Sequence, residues 1–386
     1  MGADRTRLPE KNNREAALKE RYRMDLPFLL LTLILVGIGV VMMFSASYAR
    51  AYQEQQNSTY FFTRQLVFAI VGLVALLLAG RVNYHYWRRF SVILMGIAVV
   101  LLILVLLVGS SAGGAKRWLN LGIRFQPSEV AKLAVVVLFA TMISSYGERM
   151  KTFKYGIAPF AAILAALALL LLLEPHLSAT VIIFGVGVAM MFQGGARARW
   201  FVLLGIVGGI LFLLLVSGGY ASDRIDAWLH PEINQSGSSY QSVQALYAIG
   251  SGGLFGLGFG NSRQKYLYLP EEHNDYVFPI ICEELGFVGA MFIILLFVLL
   301  ILRGYWIAMH AKDRFGALLA GGLTTLLALQ VFFNIGVVTG LLPPTGISLP
   351  FFSYGGTALI LQMAQMGIIL SVSRSCKENL LWEGAK

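Results

Sequence analysis

Ten apolar runs, each close to the ~20 residues a helix needs to cross a bilayer, divide this chain from end to end. They occupy 26–46, 61–80, 89–108, 128–145, 155–173, 177–192, 199–217, 276–302, 315–337 and 352–373. In lipid the backbone must satisfy its own hydrogen bonds, so runs of this length fold as helices packed side by side. Only 13% of the residues are charged and 57% are hydrophobic, whereas a soluble domain carries about 25% charge. The expected fold class is an all-α polytopic membrane protein with ten transmembrane helices. The net charge of +10 would suit nucleic acid, but its placement argues for a membrane instead. Segments 1–25, 81–89, 146–154, 193–199, 303–314 and 374–386 hold 21 of the 30 Lys and Arg. By the positive-inside rule these face the cytoplasm, together with both termini. Segments 47–60, 109–127, 218–275 and 338–351 then face outward.

Residues 1–25 mix seven Lys and Arg with several acids, too long and too acidic for the basic region of a leader. Ser45-Ala-Ser47 mimics a cleavage site only faintly, and nine more runs follow. The expected organisation is a cytoplasmic basic tail (1–25), one transmembrane domain (26–373) and a cytoplasmic tail (374–386). The long extracytoplasmic loop, about 218–275, is too short and too rich in Gly and Ser for a large core of its own. Within it, 240–249 reads as a short amphipathic helix on or partly in the membrane. Glu174-Pro-His176 separates the fifth and sixth runs and predicts a tight helical hairpin. The two cysteines, Cys282 and Cys376, give neither a disulfide framework nor a metal-ligand spacing.

Ionisable groups at membrane depth cost several kcal/mol unless they find partners, so each marks a candidate site. The densest group is Glu271, Glu272, His273 and Asp275, at the mouth of the eighth run, with Glu283 and Glu284 inside it. Asn274 or Asp275 could simply cap the helix. A general base needs the same placement, a carboxylate in a water-poor cleft. The neighbouring acids and His273 also leave room for coupled titration or a shared divalent cation, without an HExxH pattern to support one. On the same outer side, Gly113-Gly-Ala-Lys-Arg-Trp118 concentrates cations where they are otherwise scarce. Lys116 and Arg117 suit a diphosphate or an anionic head group. Trp118 suits a sugar face or the interfacial aromatic belt. Gln126-Pro-Ser128 reads as a helix start, placing Glu129 and Lys132 on one face, either as an ion pair or lining a polar cavity with Asp275. Gly250–Gly260 is neither a P-loop nor a dinucleotide fingerprint; it reads as a surface turn or as amides that approach a phosphate. Between 334 and 356, Gly and Pro break the helix where only a buried or cavity-lining backbone is tolerated. Asn334, Thr339, Thr345, Ser353 and Tyr354 bring polar side chains there, and Ser353 would otherwise cap the last helix. With no motif for a nucleotide or a nucleotide-sugar, the energy for any bond made must arrive with the substrate.

Taken together, the clusters resemble the shape, elongation, division and sporulation (SEDS) family, the group of FtsW, RodA and SpoVE. The resemblance spans about 26–373. It is carried by Met42-Met-Phe-Ser-Ala-Ser47, Ala115-Lys-Arg-Trp-Leu119, Gln126-Pro-Ser-Glu-Val-Ala-Lys132, Ala248-Ile-Gly-Ser-Gly-Gly253, Leu269-Pro-Glu-Glu-His-Asn-Asp275 and Ser353-Tyr-Gly-Gly356. The Ser-Ala-Ser and Val-Thr-Gly-Leu-Leu-Pro segments are most like FtsW or SpoVE. The resemblance implies a peptidoglycan glycosyltransferase of the bacterial cytoplasmic membrane, at the division septum or another site of wall synthesis. It would polymerise lipid II and release undecaprenyl diphosphate, with a class B penicillin-binding protein and other divisome or elongasome proteins as partners. It implies Asp275 as the catalytic aspartate, Lys116, Arg117 and Trp118 as a required loop, Glu129 and Lys132 as a cavity pair, and Ser353 in the last signature. No cofactor is implied beyond an optional divalent cation, Mg or Mn. Departures occur at Asn274 and Tyr276, where the family usually has Thr and Phe. Glu174-Pro-His-Leu-Ser178 replaces a common Gln-Pro-Asp-Leu-Gly, so no acid stands at 176. The alternative function is a lipid II flippase, with Glu129, Lys132, Glu283 and Glu284 as a polar track.

Overall fold

The computed structural model describes residues 24–112, 115–120, 124–202, 222–229 and 238–376, together with 205 and 209. The helices are α1 (Leu26–Gln55), α2 (Tyr60–Arg81), α3 (His85–Val108), α4 (Pro127–Tyr146), α5 (Ala158–Leu173), α6 (Leu177–Gln193), α7 (Ser222–Leu229), α8 (Ser238–Ser251), α9 (Val277–Met309), α10 (Arg314–Val338) and α11 (Gly356–Ser373). Among the described residues, eight helical segments are long and apolar enough to cross a membrane, and α6 is a shorter apolar one. These nine match nine of the ten expected runs. The other, 199–217, falls largely outside the described residues. The tails at 1–23 and 377–386 also lie outside them. Helix α8 matches the amphipathic helix expected at 240–249, and α7 lies where the apolar pattern predicts no helix.

The loops sort by charge. At one end Arg303 binds Asp25 at 2.7 Å, and the Asp25 amide donates to Ser373 Oγ at 3.1 Å. Arg374 donates to the Gly80 and Arg81 carbonyls, and Arg314 to the Gly194 carbonyl at 3.0 Å. These groups all come from the basic segments and their flanks, the set assigned to the cytoplasm. Helices α4 and α10 form the buried centre; α1, α2, α3 and α9 turn apolar side chains outward, as lipid contact requires. Close approach replaces the hydrophobic effect as the packing device in lipid. Where α11 meets α2, a Cβ on Gly367 would stand 2.3 Å from the Leu76 carbonyl oxygen.

Helix α9 is the exception to regular geometry. At 33 residues an unbroken helix would run about 50 Å, against a hydrocarbon core of about 30 Å. Gly286 breaks it with φ 68°. The Gly-rich segment after α8 makes good the lost hydrogen bonds: the Leu257 and Gly258 amides donate to the Glu283 and Glu284 carbonyls, and Phe287 and Val288 donate to Gly253 and Leu254. Gly256 and Gly286 touch backbone to backbone, since a Cβ on Gly286 would lie 2.3 Å from the Gly256 nitrogen. Gly250–Gly260 is therefore a packing device. Gly286→Ala should cost at least the ~1–2 kcal/mol of a left-handed alanine and lower the thermal unfolding midpoint in detergent. Gly37→Ala, with nothing within 4 Å of its Cβ, should leave the midpoint in place.

Candidate functional site

The extracytoplasmic segment between α3 and α4 folds into a small antiparallel sheet of β1 (Ser110–Ala112), β2 (Ala115–Asn120) and β3 (Arg124–Phe125). The sequence reading had not anticipated these strands. Lys116, Arg117 and Trp118 lie on β2. Arg117 is half-buried and donates through Nη2 to the Pro175 carbonyl at 2.6 Å. Trp118 is half-buried, and its carbonyl accepts from Ser110 Oγ at 3.2 Å. Lys116 is exposed.

Pro127 opens α4 at its first turn, because its fixed φ suits that turn and its missing amide is not needed there. Glu129 and Lys132 follow on one face, pair at 2.7 Å and are both 6% exposed. The ion pair forms, and the Lys132 charge acts on His176 at the start of α6. Gln126, the N-cap of α4, places Nε2 3.3 Å from Nε2 of His176, the N-cap of α6. Two helix N-termini therefore meet beside Arg117 and Lys132. Burial pushes the Glu174 carboxyl up to about 8, against the opposing pull of the Arg117 charge. Burial, with the Arg117 and Lys132 charges, pushes the His176 imidazole down to about 3, so it is neutral.

Asp275 sits one residue before the N-cap of α9, Tyr276. Its carbonyl accepts from Asn334 Nδ2 at 2.8 Å, and the same nitrogen donates to Ile347 at 2.7 Å. Asn334 thus ties the aspartate to the 345–347 loop. A point one Cβ above Gly346 lies 3.1 Å from Asp275 Oδ2 and 3.8 Å from Ser178 Oγ. Ser178 also donates to the Thr345 carbonyl. The first turn of α6 accordingly has His176 facing the Arg117 and Lys132 charges and Ser178 facing Asp275. These residues gather around the first turn of α6 at the extracytoplasmic end.

The rest of the acidic group goes elsewhere. Glu272 binds Arg50 of α1 at 2.9 Å, and His273 stacks on Phe61 of α2 at 4.8 Å between ring centroids. Neither shares the surroundings of Asp275. Among the described residues no three His, Cys, Asp or Glu side chains group as a cation site. Ser353 lies in the turn before α11, where its Oγ accepts from the Leu349 amide at 2.7 Å. It does not cap α11, whose N-cap is Gly355. Thr339 bonds back to Ile335 within α10. Glu283 is held by Ser262 Oγ and the Arg263 and Gln264 amides. Glu284 is held by Lys265 at 2.9 Å and by Ser45. Sequence reasoning took Glu174 and His176 only as a hairpin connection. Two ionisable residues around a proline between apolar runs were the available signal.

Removing one partner of a buried pair leaves an uncompensated charge, which costs about 3–5 kcal/mol. Lys132→Met should therefore lower the unfolding midpoint in detergent sharply. Glu129→Gln with Lys132→Met should recover most of it, and a double variant no more stable than the single one would contradict the assignment.

The comparisons agree with this architecture. A profile of the FtsW, RodA and SpoVE family, described as "Cell cycle protein", matches residues 25–378. Stage V sporulation protein E of Bacillus subtilis is 42% identical over 354 residues, covering 91% of this chain and 97% of that protein. The probable peptidoglycan glycosyltransferase FtsW of Geobacter metallireducens is 40% identical over 367 residues, covering 93% and 97%. A chain solved in a study of the structural coordination of polymerization and crosslinking by a peptidoglycan synthase complex superposes with TM-score 0.76 at 27% identity, covering 92% and 99%. The rod shape determining protein RodA of Thermus thermophilus superposes with TM-score 0.69 at 29% identity, covering 92% and 98%. With its apolar helices, its charge-sorted loops and a family match across almost the whole chain, this multi-pass protein of the cytoplasmic membrane belongs to the FtsW, RodA and SpoVE family.

Proposed function

We propose that this protein is a peptidoglycan glycosyltransferase that polymerises lipid II at the outer face of the membrane. The observation that carries the reading is the placement of Asp275. The Asp275 carboxylate lies beside the first turn of α6, and the other side of that turn faces Arg117 and Lys132. Asp275 takes the proton from the acceptor's sugar 4-hydroxyl as that oxygen attacks the donor's anomeric carbon. The bond from that carbon to the diphosphate breaks, and undecaprenyl diphosphate leaves with the electron pair. Arg117, Lys116 and Lys132 stabilise its charge. Asn334 and the first turn of α6 keep the aspartate in position. The reading routes no step through a divalent ion. Lipid-facing helices hold the prenyl chains, and the head group meets these polar residues.

The names of its relatives point the same way, and the solved synthase complex supports a transpeptidase of the class B penicillin-binding type as partner. The alternative, passage of the head group across the bilayer, needs Glu129, Lys132, Glu283 and Glu284 in one polar track. Glu283 and Glu284 bind Ser262, Lys265 and Ser45, which favours chemistry at the outer face. General-base catalysis contributes about 10²–10⁴-fold, so Asp275→Asn should reduce glycan strand formation from lipid II by that factor while keeping the fold. The test is a gel of glycan products from purified protein, with and without a cognate penicillin-binding protein. Near wild-type polymerisation by the variant would remove Asp275 from the role. Translocation of lipid II in proteoliposomes without any polymer would favour the flippase.

A further inference from the structure

Two buried polar atoms in the turn between α5 and α6 have no hydrogen-bond partner: Glu174 Oε1 and His176 Nδ1. Their residues are 2% and 5% exposed. Each such atom costs about 1–3 kcal/mol when left unsatisfied, so two in one turn point to something that binds there. The Gln126 amide nitrogen donates to His176 Nε2. The neutral ring therefore carries its proton on Nδ1, which makes that atom a donor. Gln126 and His176 are themselves the N-caps of α4 and α6, and no side chain caps either helix. A helix N-terminus favours an anion through its amides and its dipole, and here two of them converge. Ser128 Oγ, in the first turn of α4, is buried and likewise has no partner.

We propose that the N-termini of α4 and α6, with Arg117, Glu174 and His176, bind the diphosphate of the lipid-linked sugar, and that Glu174 enters this site as a neutral acid donating a hydrogen bond. The inference rests on the polymerase reading and adds the place where the leaving group is held. The groups facing Glu174 are Arg117 on β2, His176 in its own turn, and the Glu129–Lys132 pair on α4. Lys116 is exposed on the same strand, and Asp275 lies beyond Ser178. A protonated Glu174 offers its own O–H to a phosphate oxygen. An ionised Glu174 neutralises Arg117 and repels the diphosphate. Because its carboxyl titrates at about 8, binding is strong below that pH and falls as pH rises through it.

The test is the affinity of the purified full chain for undecaprenyl diphosphate at pH 7 and pH 9, with inorganic pyrophosphate as a second probe. The apparent affinity scales with the competent fraction, so the wild type should bind about tenfold more weakly at pH 9 than at pH 7. In Glu174→Gln that ratio should be near one, whatever the absolute affinity. Pyrophosphate should show the same ratio, because the site reads the diphosphate and not the prenyl chain. A second measurement uses the wild type alone: an infrared band of a protonated carboxyl should disappear over the same pH range as the affinity. An equal pH ratio in wild type and variant, or no such band, overturns the proposal. Wild type that polymerises lipid II while binding the diphosphate independently of pH sinks this inference and leaves the polymerase reading standing. Wild type that never polymerises but keeps the pH-dependent affinity does the reverse.

Discussion

The whole arrangement depends on one constraint: a polar group placed at membrane depth must find its partner inside the protein. Helix α9 shows what that demands. Breaking it at Gly286 strands carbonyls and amides in surroundings without water, and the segment after α8 supplies hydrogen bonds in their place. The acids on the broken helix are satisfied in the same way. Glu284 meets Lys265 and Ser45, and Glu283 meets the amides that follow Ser262. With those demands met, the mouth of α9 is fixed, and Asp275 with it.

The same rule separates scaffold from site. Ion pairs made within the protein, such as Arg50 with Glu272 or Arg303 with Asp25, hold helices together. Three groups that each keep an unpartnered buried atom lie together, between the small sheet and the first turn of α6. Glu174, His176 and Ser128 all belong there. The hairpin of α5 and α6 thus brings polar chemistry into a bundle that elsewhere seals it off.

Much of this was legible in the chain. The apolar runs announced the helices, because a bilayer leaves the backbone few other choices. Charge placement announced which loops share an end. Gln126-Pro-Ser128 announced the start of α4, and the i, i+3 spacing of Glu129 and Lys132 announced their pairing. What was not legible depended on contacts far apart in sequence. Nothing local says that Glu272 and His273 turn toward α1 and α2 while Asp275, two residues on, turns toward Gly346. Ser353 reads as a cap, yet its hydroxyl serves a turn four residues earlier. The glycines of 250–260 look like slack until Gly286 stands against them. Glu174 and His176 look like punctuation until Gln126 and Arg117 arrive from another part of the chain.

At the cytoplasmic end, Asp25 and Ser373 are hydrogen-bonded although 348 positions apart. The first and last helices of the described bundle are tied together at this end. Helix order along the chain is therefore not what keeps the bundle closed. A gene rearranged to join these two positions by a short linker, and to begin instead at an exposed cytoplasmic loop, would encode the same set of helix pairings.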